Sequence, residues 1–280
     1  MHNPEVTVVT PTIGRLDRLR AALRSVAAQR VAVEHVVVGD DCAARGCRDE
    51  VAEIVASFDH ARFLDVTAAD LPEGLQPYLP ARLAFLRNTG VAAGSGEFVC
   101  HLDDDNAFEV DHLSSLVELL RANPDVPVAH SWRLLVDDND VPFVPDGVDP
   151  WYPEPDGRRD SYRRLAELGV FEPGSAVVRD RLWAGDEVLG RIDTGEFLIR
   201  RTYAEKHGFP QRFTPRQQEL EITEDMAYAL SMARRGVRPL CTEKATLRYT
   251  MGGYSNADSL DSATPRVDLR KQTATGGSIR

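Results

Sequence analysis

VTVVTPTIGRLDRLRAALRSVAAQRVAVEHVVVGDD, residues 6–41, reads as strand, helix, strand. Val6–Thr10 is a short β-branched run, the pattern of a strand buried on both faces. Leu16, Leu19, Leu23 and Val26 then recur at helical spacing, and His35–Val38 (HVVV) is a second buried strand ending in Gly39-Asp40-Asp41. The alternation continues outward. Val51, Ile54, Val55 and Phe58 mark the next helix, and Arg62–Val66 the third strand. Residues 82–93 read as helix and Phe98–Leu102 as the fourth strand. Val110, Leu113, Leu116, Val117 and Leu120 form another apolar helical face before a strand at Val126–Ser131. Strands alternating with helices imply right-handed crossovers and a mostly parallel sheet with helices on both faces, an α/β fold.

In such sheets ligands bind beyond the carboxyl ends of the strands. Three polar strand ends stand there: Pro11-Thr12 after the first strand, Asp40-Asp41 after the second and Asp103-Asp104-Asp105 after the fourth. Crowded carboxylates repel one another unless a cation neutralises them. Oxygen ligands suit Mg²⁺ or Mn²⁺, and Mg²⁺ commonly takes one or two protein carboxylates and completes its shell with water and phosphate. The bland alternative for the triplet is a solvated turn ahead of the helix near Val110. Asp40 is suited to accept from a base or ribose, or to cap a helix. Arg87, in LRNTG, is suited to pair with phosphate, although a lone helical arginine is more often solvated. Glu224-Asp225 opens a helix running from Thr223 to Gly236, with Met226, Leu230 and Ala233 expected on its core face. Acidic residues in a first turn already complement the helix dipole, so the pattern alone does not make them catalytic.

Composition sets the outer limits. The 280-residue chain is 42% hydrophobic and 28% charged, with a formal net charge of -11. No dense basic block offers itself to nucleic-acid phosphates. The N-terminus lacks a basic region followed by an apolar run, and no window approaches a membrane span, so a cytoplasmic protein without an integral membrane segment is expected. Cys42, Cys47, Cys100 and Cys241 are too few and scattered for a disulfide framework and read as reduced thiols. Residues 137–160 are rich in Pro and Asp, which marks a functional or mobile loop. A strand returns at Glu196–Arg200, and from 251 to 280 the chain reads as a flexible tail.

Four blocks in order, VTVVTPTIGRLDRLRAALRSV, VVVGDDCAARG, LRNTGVAAGSGEFVCHLDDDN and ITEDMAYALSMARRG, resemble family 2 glycosyltransferases of the GT-A fold. The resemblance covers residues 5–125 and 190–250. It implies one GT-A catalytic domain over 1–250, with a nucleotide-sugar half (1–136) and an acceptor half (137–250). It implies inverting transfer of one sugar from a UDP, GDP or dTDP type donor to a hydroxyl or amine of a small-molecule or glycan acceptor, aided by Mg²⁺ or Mn²⁺. By position, Thr10, Pro11, Thr12, Arg15 and Asp40 would hold the nucleotide, with Arg87, Asp103 and Asp104 near the donor. Asp105, with Asp103, would take the metal. Asp225 would be the catalytic base with Glu224 beside it. The segment IDTGEFLIRR (192–201) resembles the acceptor-side strand, so Asp193 and Glu196 are acceptor candidates, with Trp151 a stacking candidate. A homodimer is compatible with this reading.

The chain departs from the family at PTIGR, which lacks the usual Tyr-Asn, and at LRYTMGGYSN (247–256), which has no metal-binding His. Nothing resembles the QxxRW signature of processive synthases. Two other readings stay open. A sugar nucleotidyltransferase would want a glycine-rich basic loop after the first strand, where PTIGRLDRLR has one glycine and no lysine. A non-catalytic nucleotide-sugar-binding protein of the same fold would bind without turnover.

Overall fold

The computed structural model describes residues 4–253; of the tail expected over 251–280, residues 254–280 lie outside the described residues. The first half follows the alternation read from the sequence. The order is β1 (Val6–Thr12), α1 (Leu16–Ala27), β2 (Val33–Asp40), α2 (Arg48–Ala56), β3 (Ala61–Val66), α3 (Leu79–Ala93), β4 (Phe98–His101), β5 (Ala107–Phe108), α4 (His112–Ala122) and β6 (Val128–Val136). The second half contributes α5 (Arg158–Glu167), β7 (Val177–Val178), β8 (Arg181–Ala184), β9 (Glu187–Arg191), β10 (Phe197–Arg200), α6 (Arg201–Lys206), α7 (Pro215–Glu219), α8 (Glu224–Arg234) and β11 (Leu240–Thr250).

One sheet runs through both halves in the order β3-β2-β1-β4-β10-β6-β11-β5, with β7 on β6, while β8 and β9 form a separate hairpin. The pairs β3-β2, β2-β1, β1-β4 and β6-β11 are parallel. Strand β10 enters antiparallel between β4 and β6, placing Leu198 against Cys100 and Ala129. It knits the two halves into one sheet, which an alternation pattern read strand by strand does not reveal.

Every residue of β1 is buried, because helices cover both sheet faces. Val9 packs with β2, α3 and α8, whereas Val6 and Val8 pack with α1 and α4. Helix α3 sits close on β1 at Gly90, where a Cβ would lie 2.2 Å from Val9 Cγ1. Thr7 is a buried polar node: its hydroxyl donates to Glu34 at 2.7 Å and accepts from Gly96 N–H at 2.9 Å and Arg201 Nη2 at 2.6 Å. Such satisfaction is what allows a hydroxyl in the core.

The apolar stripe of α8 differs from the expected one. Met226 is 38% exposed, and the buried positions are Glu224, Ala227, Tyr228, Ala229, Ser231, Met232 and Ala233. Of the three residues expected on the core face, Ala233 is buried, Leu230 is half-buried and Met226 faces outward, because the buried stripe begins on an acidic residue. Met251, placed in the tail by sequence, is 1% exposed and its N–H donates to Val136 O at 2.8 Å. All four cysteines are free. Among the described residues no helix is long and apolar enough to cross a membrane.

Candidate active site

The register of β1 on β2 pairs Pro11 with Val38 and Thr12 with Gly39, which brings Asp40 to the same edge. The β1-β4 pairing ends at Val9–His101, so the acidic triplet leaves β4 alongside Thr12. Thr12 Oγ1 donates to Asp104 Oδ2 at 2.6 Å, and Gly14 N–H donates to Thr12 Oγ1 at 3.0 Å. Thr10 is a different case. It is fully buried and its hydroxyl sits 2.8 Å from His35 Nε2, directed away from the strand ends.

Each carboxylate of the triplet has a guanidinium. Arg15 donates to Asp104 Oδ1 through Nη2 and to Asp105 Oδ2 through Nη1, the latter at 2.7 Å. Arg87 Nη2 donates to Asp103 Oδ1 at 2.6 Å. The Asp105 backbone is also tied down, its carbonyl accepting from Thr250 Oγ1 at 2.5 Å. Burial raises the Asp105 carboxyl above its usual range; Arg15 opposes the rise, and Asp104 and Asp103 add to it.

Asp40 is 3% exposed and engaged by Arg82, whose Nε donates to Oδ1, with Arg45 Nη2 3.5 Å from Oδ2. Neither arginine was singled out by sequence. Arg82 lies five residues before Arg87 on α3, and that spacing of two basic residues was the only available signal.

The acidic triplet and helix α8 meet at Arg87. Its side chain is 3% exposed, and Nε and Nη2 donate to Glu224 Oε1 at 3.1 and 3.0 Å. Glu224 is therefore a buried counter-ion beside Asp225. Burial pushes its carboxyl up to about 7; Arg87 opposes this, and the charges of Asp225 and Asp103 add to it. Asp225 is half-buried at the start of α8. Its Oδ1 accepts from Met226 N–H at 2.7 Å, and among the described residues no ion pair holds it.

Asp193 and Glu196 form a capped turn ahead of β10. Gly195 N–H donates to Asp193 Oδ1 at 2.9 Å, and Asp193 N–H donates to Glu196 Oε2 at 2.8 Å. Burial raises the Asp193 carboxyl; Arg133 opposes, and Asp103 and Asp225 add to the rise, so these three acids act on one another. Glu196, fully buried, is likewise raised by burial.

Arg133 was not anticipated. Its Nη2 lies 2.8 Å from Asp180 Oδ2 and its Nη1 3.4 Å from Asp193 Oδ2. Its guanidinium is 4.2 Å from the Trp151 ring centroid and 4.8 Å from that of Tyr249. Arg191 pairs with both oxygens of fully buried Asp149, at 3.1 and 3.3 Å. These contacts pin Asp149 and Trp151, so the middle of the 137–160 loop is anchored rather than free to swing. The signal missed was an arginine inside an otherwise largely apolar strand, VAHSWRLLV. Such a residue needs a buried partner.

The triplet suits a divalent cation in part. Among the described residues no three His, Cys, Asp or Glu side chains converge as a preformed metal cage. Asp105 and Asp103 do supply two hard oxygen donors at one strand end, enough when phosphate oxygens complete the shell.

No protein-family model and no curated protein matches the chain. Solved structures do match. TarS 1–349 of S. aureus in complex with UDP aligns with a TM-score of 0.55 at 16% identity, over 91% of this chain and 63% of that one. The mannosyltransferase PcManGT from Pyrobaculum calidifontis, in complex with GDP-Man and Mn²⁺, aligns with a TM-score of 0.55 at 18% identity, over 92% of this chain and 60% of that one. The chain thus spans about three-fifths of the length of these relatives. At this level of identity the likeness speaks for the architecture, and the α/β fold expected from the four sequence blocks is the GT-A fold.

Proposed function

We propose that the chain is an inverting glycosyltransferase that moves one sugar from a nucleotide-diphosphate sugar to a hydroxyl or amine of a small-molecule or glycan acceptor. The observation that carries this is Arg87, which joins Asp103 on the nucleotide side to Glu224 and hence to Asp225 on the acceptor side. The fold's relatives in complex with UDP and with GDP-Man support a donor of that class.

In this reading Pro11, Thr12 and Asp40 hold the nucleotide, Asp103 and Arg87 face the donor sugar and diphosphate, and Asp105 with Asp103 holds Mg²⁺ or Mn²⁺. The metal, when bound, neutralises charge developing on the departing diphosphate. Asp225 is the general base. An alcohol is too weak an acid to ionise beforehand, so its proton passes to the Asp225 carboxylate as the new C–O bond forms and the bond to the diphosphate breaks. The unpaired state of Asp225 leaves it able to accept that proton. Arg87 and Glu224 orient the two sides. Trp151 and Asp193 form the acceptor wall, held by Arg133.

A thermal-shift screen of UDP, GDP and dTDP sugars with Mn²⁺ tests the proposal, since a ligand that binds only the folded state raises Tm. A donor that stabilises the protein and releases nucleoside diphosphate when acceptors are added supports it. Release of pyrophosphate from a sugar phosphate and a nucleoside triphosphate would replace it with a nucleotidyltransferase.

A further inference from the structure

We propose that Arg15 is a built-in competitor of the divalent cation at Asp105, so that this carboxylate takes a metal well only together with a nucleoside diphosphate. The inference rests on the metal reading above and concerns what this chain's own arginine does to that site.

Arg15 is the only cation within bonding reach of Asp104 and Asp105 among the described residues, and it spans them with its two terminal nitrogens. Asp105 Oδ2, the oxygen it holds at 2.7 Å, belongs to the side chain assigned as principal metal ligand. A guanidinium and a divalent cation on one carboxylate repel each other, so each weakens the hold of the other. Metal entry is therefore opposed for as long as Arg15 stays on Asp105.

Charge balance decides when leaving is favourable. Among the described residues the ion pairs of Asp103, Asp104, Asp105 and Glu224 are all with Arg15 or Arg87, and Arg18 adds a more distant positive charge at Asp105. A metal arriving alone gains carboxylate but strands Arg15 without its partners. A metal arriving with a diphosphate brings anionic oxygens that can receive Arg15, and guanidinium matches phosphate in geometry as well as charge. The Arg15 side chain is 37% exposed and follows Gly14, whose φ of +91° forms the bend ahead of α1. It is therefore reachable from solvent, and Asp104 keeps Thr12 as a partner when Arg15 moves.

The experiment is Mn²⁺ titration followed by electron paramagnetic resonance, with and without UDP or GDP, on wild type, Arg15→Gln, Arg15→Lys and Asp105→Asn. Wild type should bind Mn²⁺ weakly alone and at least about tenfold more tightly with a nucleoside diphosphate, a difference of ~1.4 kcal/mol. Arg15→Gln should bind Mn²⁺ alone about tenfold more tightly than wild type and show a smaller gain from the diphosphate. Arg15→Lys, a cation without the two-pronged reach, should fall between them and serves if the Gln variant is poorly folded. Equal Mn²⁺ affinity of wild type and both Arg15 variants, with binding still lost in Asp105→Asn, overturns the role of Arg15 alone. Mn²⁺ binding indifferent to Asp105→Asn overturns the metal assignment itself.

Discussion

Arg87 and Glu224 lie 137 positions apart in the chain, yet two nitrogens of the one donate to a single carboxylate oxygen of the other at 3.0 and 3.1 Å. Among the described residues Arg87 Nη1 has no hydrogen-bond partner, so the guanidinium is only partly satisfied by them. A buried charge incompletely paired is costly unless a further group engages it. The pair fixes α8 against α3 at the crevice and sets where Asp225 stands.

Asp225→Asn keeps the size of the side chain but removes its basicity. Transfer with the true acceptor should fall by about 10²–10⁴-fold in kcat, with the donor affinity of the variant close to that of wild type. Steady-state kinetics together with calorimetric donor binding check this. Full transfer by the variant would move the base elsewhere.

Asp105→Ala should act on the other half of the reaction. Mn²⁺-dependent binding of the donor should weaken by at least about tenfold, ~1.4 kcal/mol, while binding of the nucleoside, which lacks phosphates, should change little. Isothermal titration with donor and with nucleoside separates the two outcomes.

Glu224 links stability to pH. Its carboxyl, ordinarily near 4.5, is raised to about 7 in the folded protein, chiefly by burial. A raised carboxyl means that the folded state holds the proton more tightly than the unfolded chain. The resulting stability is full below pH 4.5 and is lost as pH rises toward 7. Glu224→Gln keeps an oxygen for Arg87 and cannot ionise. Its Tm profile between pH 5 and 7.5 should therefore be flatter than that of wild type, and parallel profiles would show that Glu224 does not titrate in this window.

Arg133→Met should destabilise the fold by on the order of 3–5 kcal/mol, because Asp193 would lose its buried cation and Asp180 would keep only Arg191, at 3.8 Å. Asp180→Asn added to it should recover part of the loss, a coupling readable by urea denaturation of the four proteins. Additive losses would mean that the 2.8 Å pair contributes little by itself.

The region from β1 to α4 was legible because buried parallel strands and amphipathic helices carry distinct periods along the chain. The polar strand ends at Thr12, Asp40 and Asp103–Asp105 were legible for the same reason: a strand that ends in charge shows where the sheet meets solvent. Glu224 was visible as a first-turn acid, and nothing local distinguished it from one that only complements a helix dipole. Its burial begins the α8 stripe on an acidic residue and leaves Met226 outward, while Ala233 is buried as expected.

Local pattern, then, was enough for the order of β1 to β4 with the helices between them and for the polar ends of those strands, because each depends on neighbours within a few residues. The antiparallel insertion of β10 depended on tertiary structure, as did the pairing of Arg15 with Asp104 and Asp105, and of Arg133 with Asp180 and Asp193. A charge declares its side-chain type in sequence. Whether it is solvated or paired is decided by which distant segment the fold brings to within about 3 Å, since the strength of an ion pair depends on that distance and on the water excluded around it.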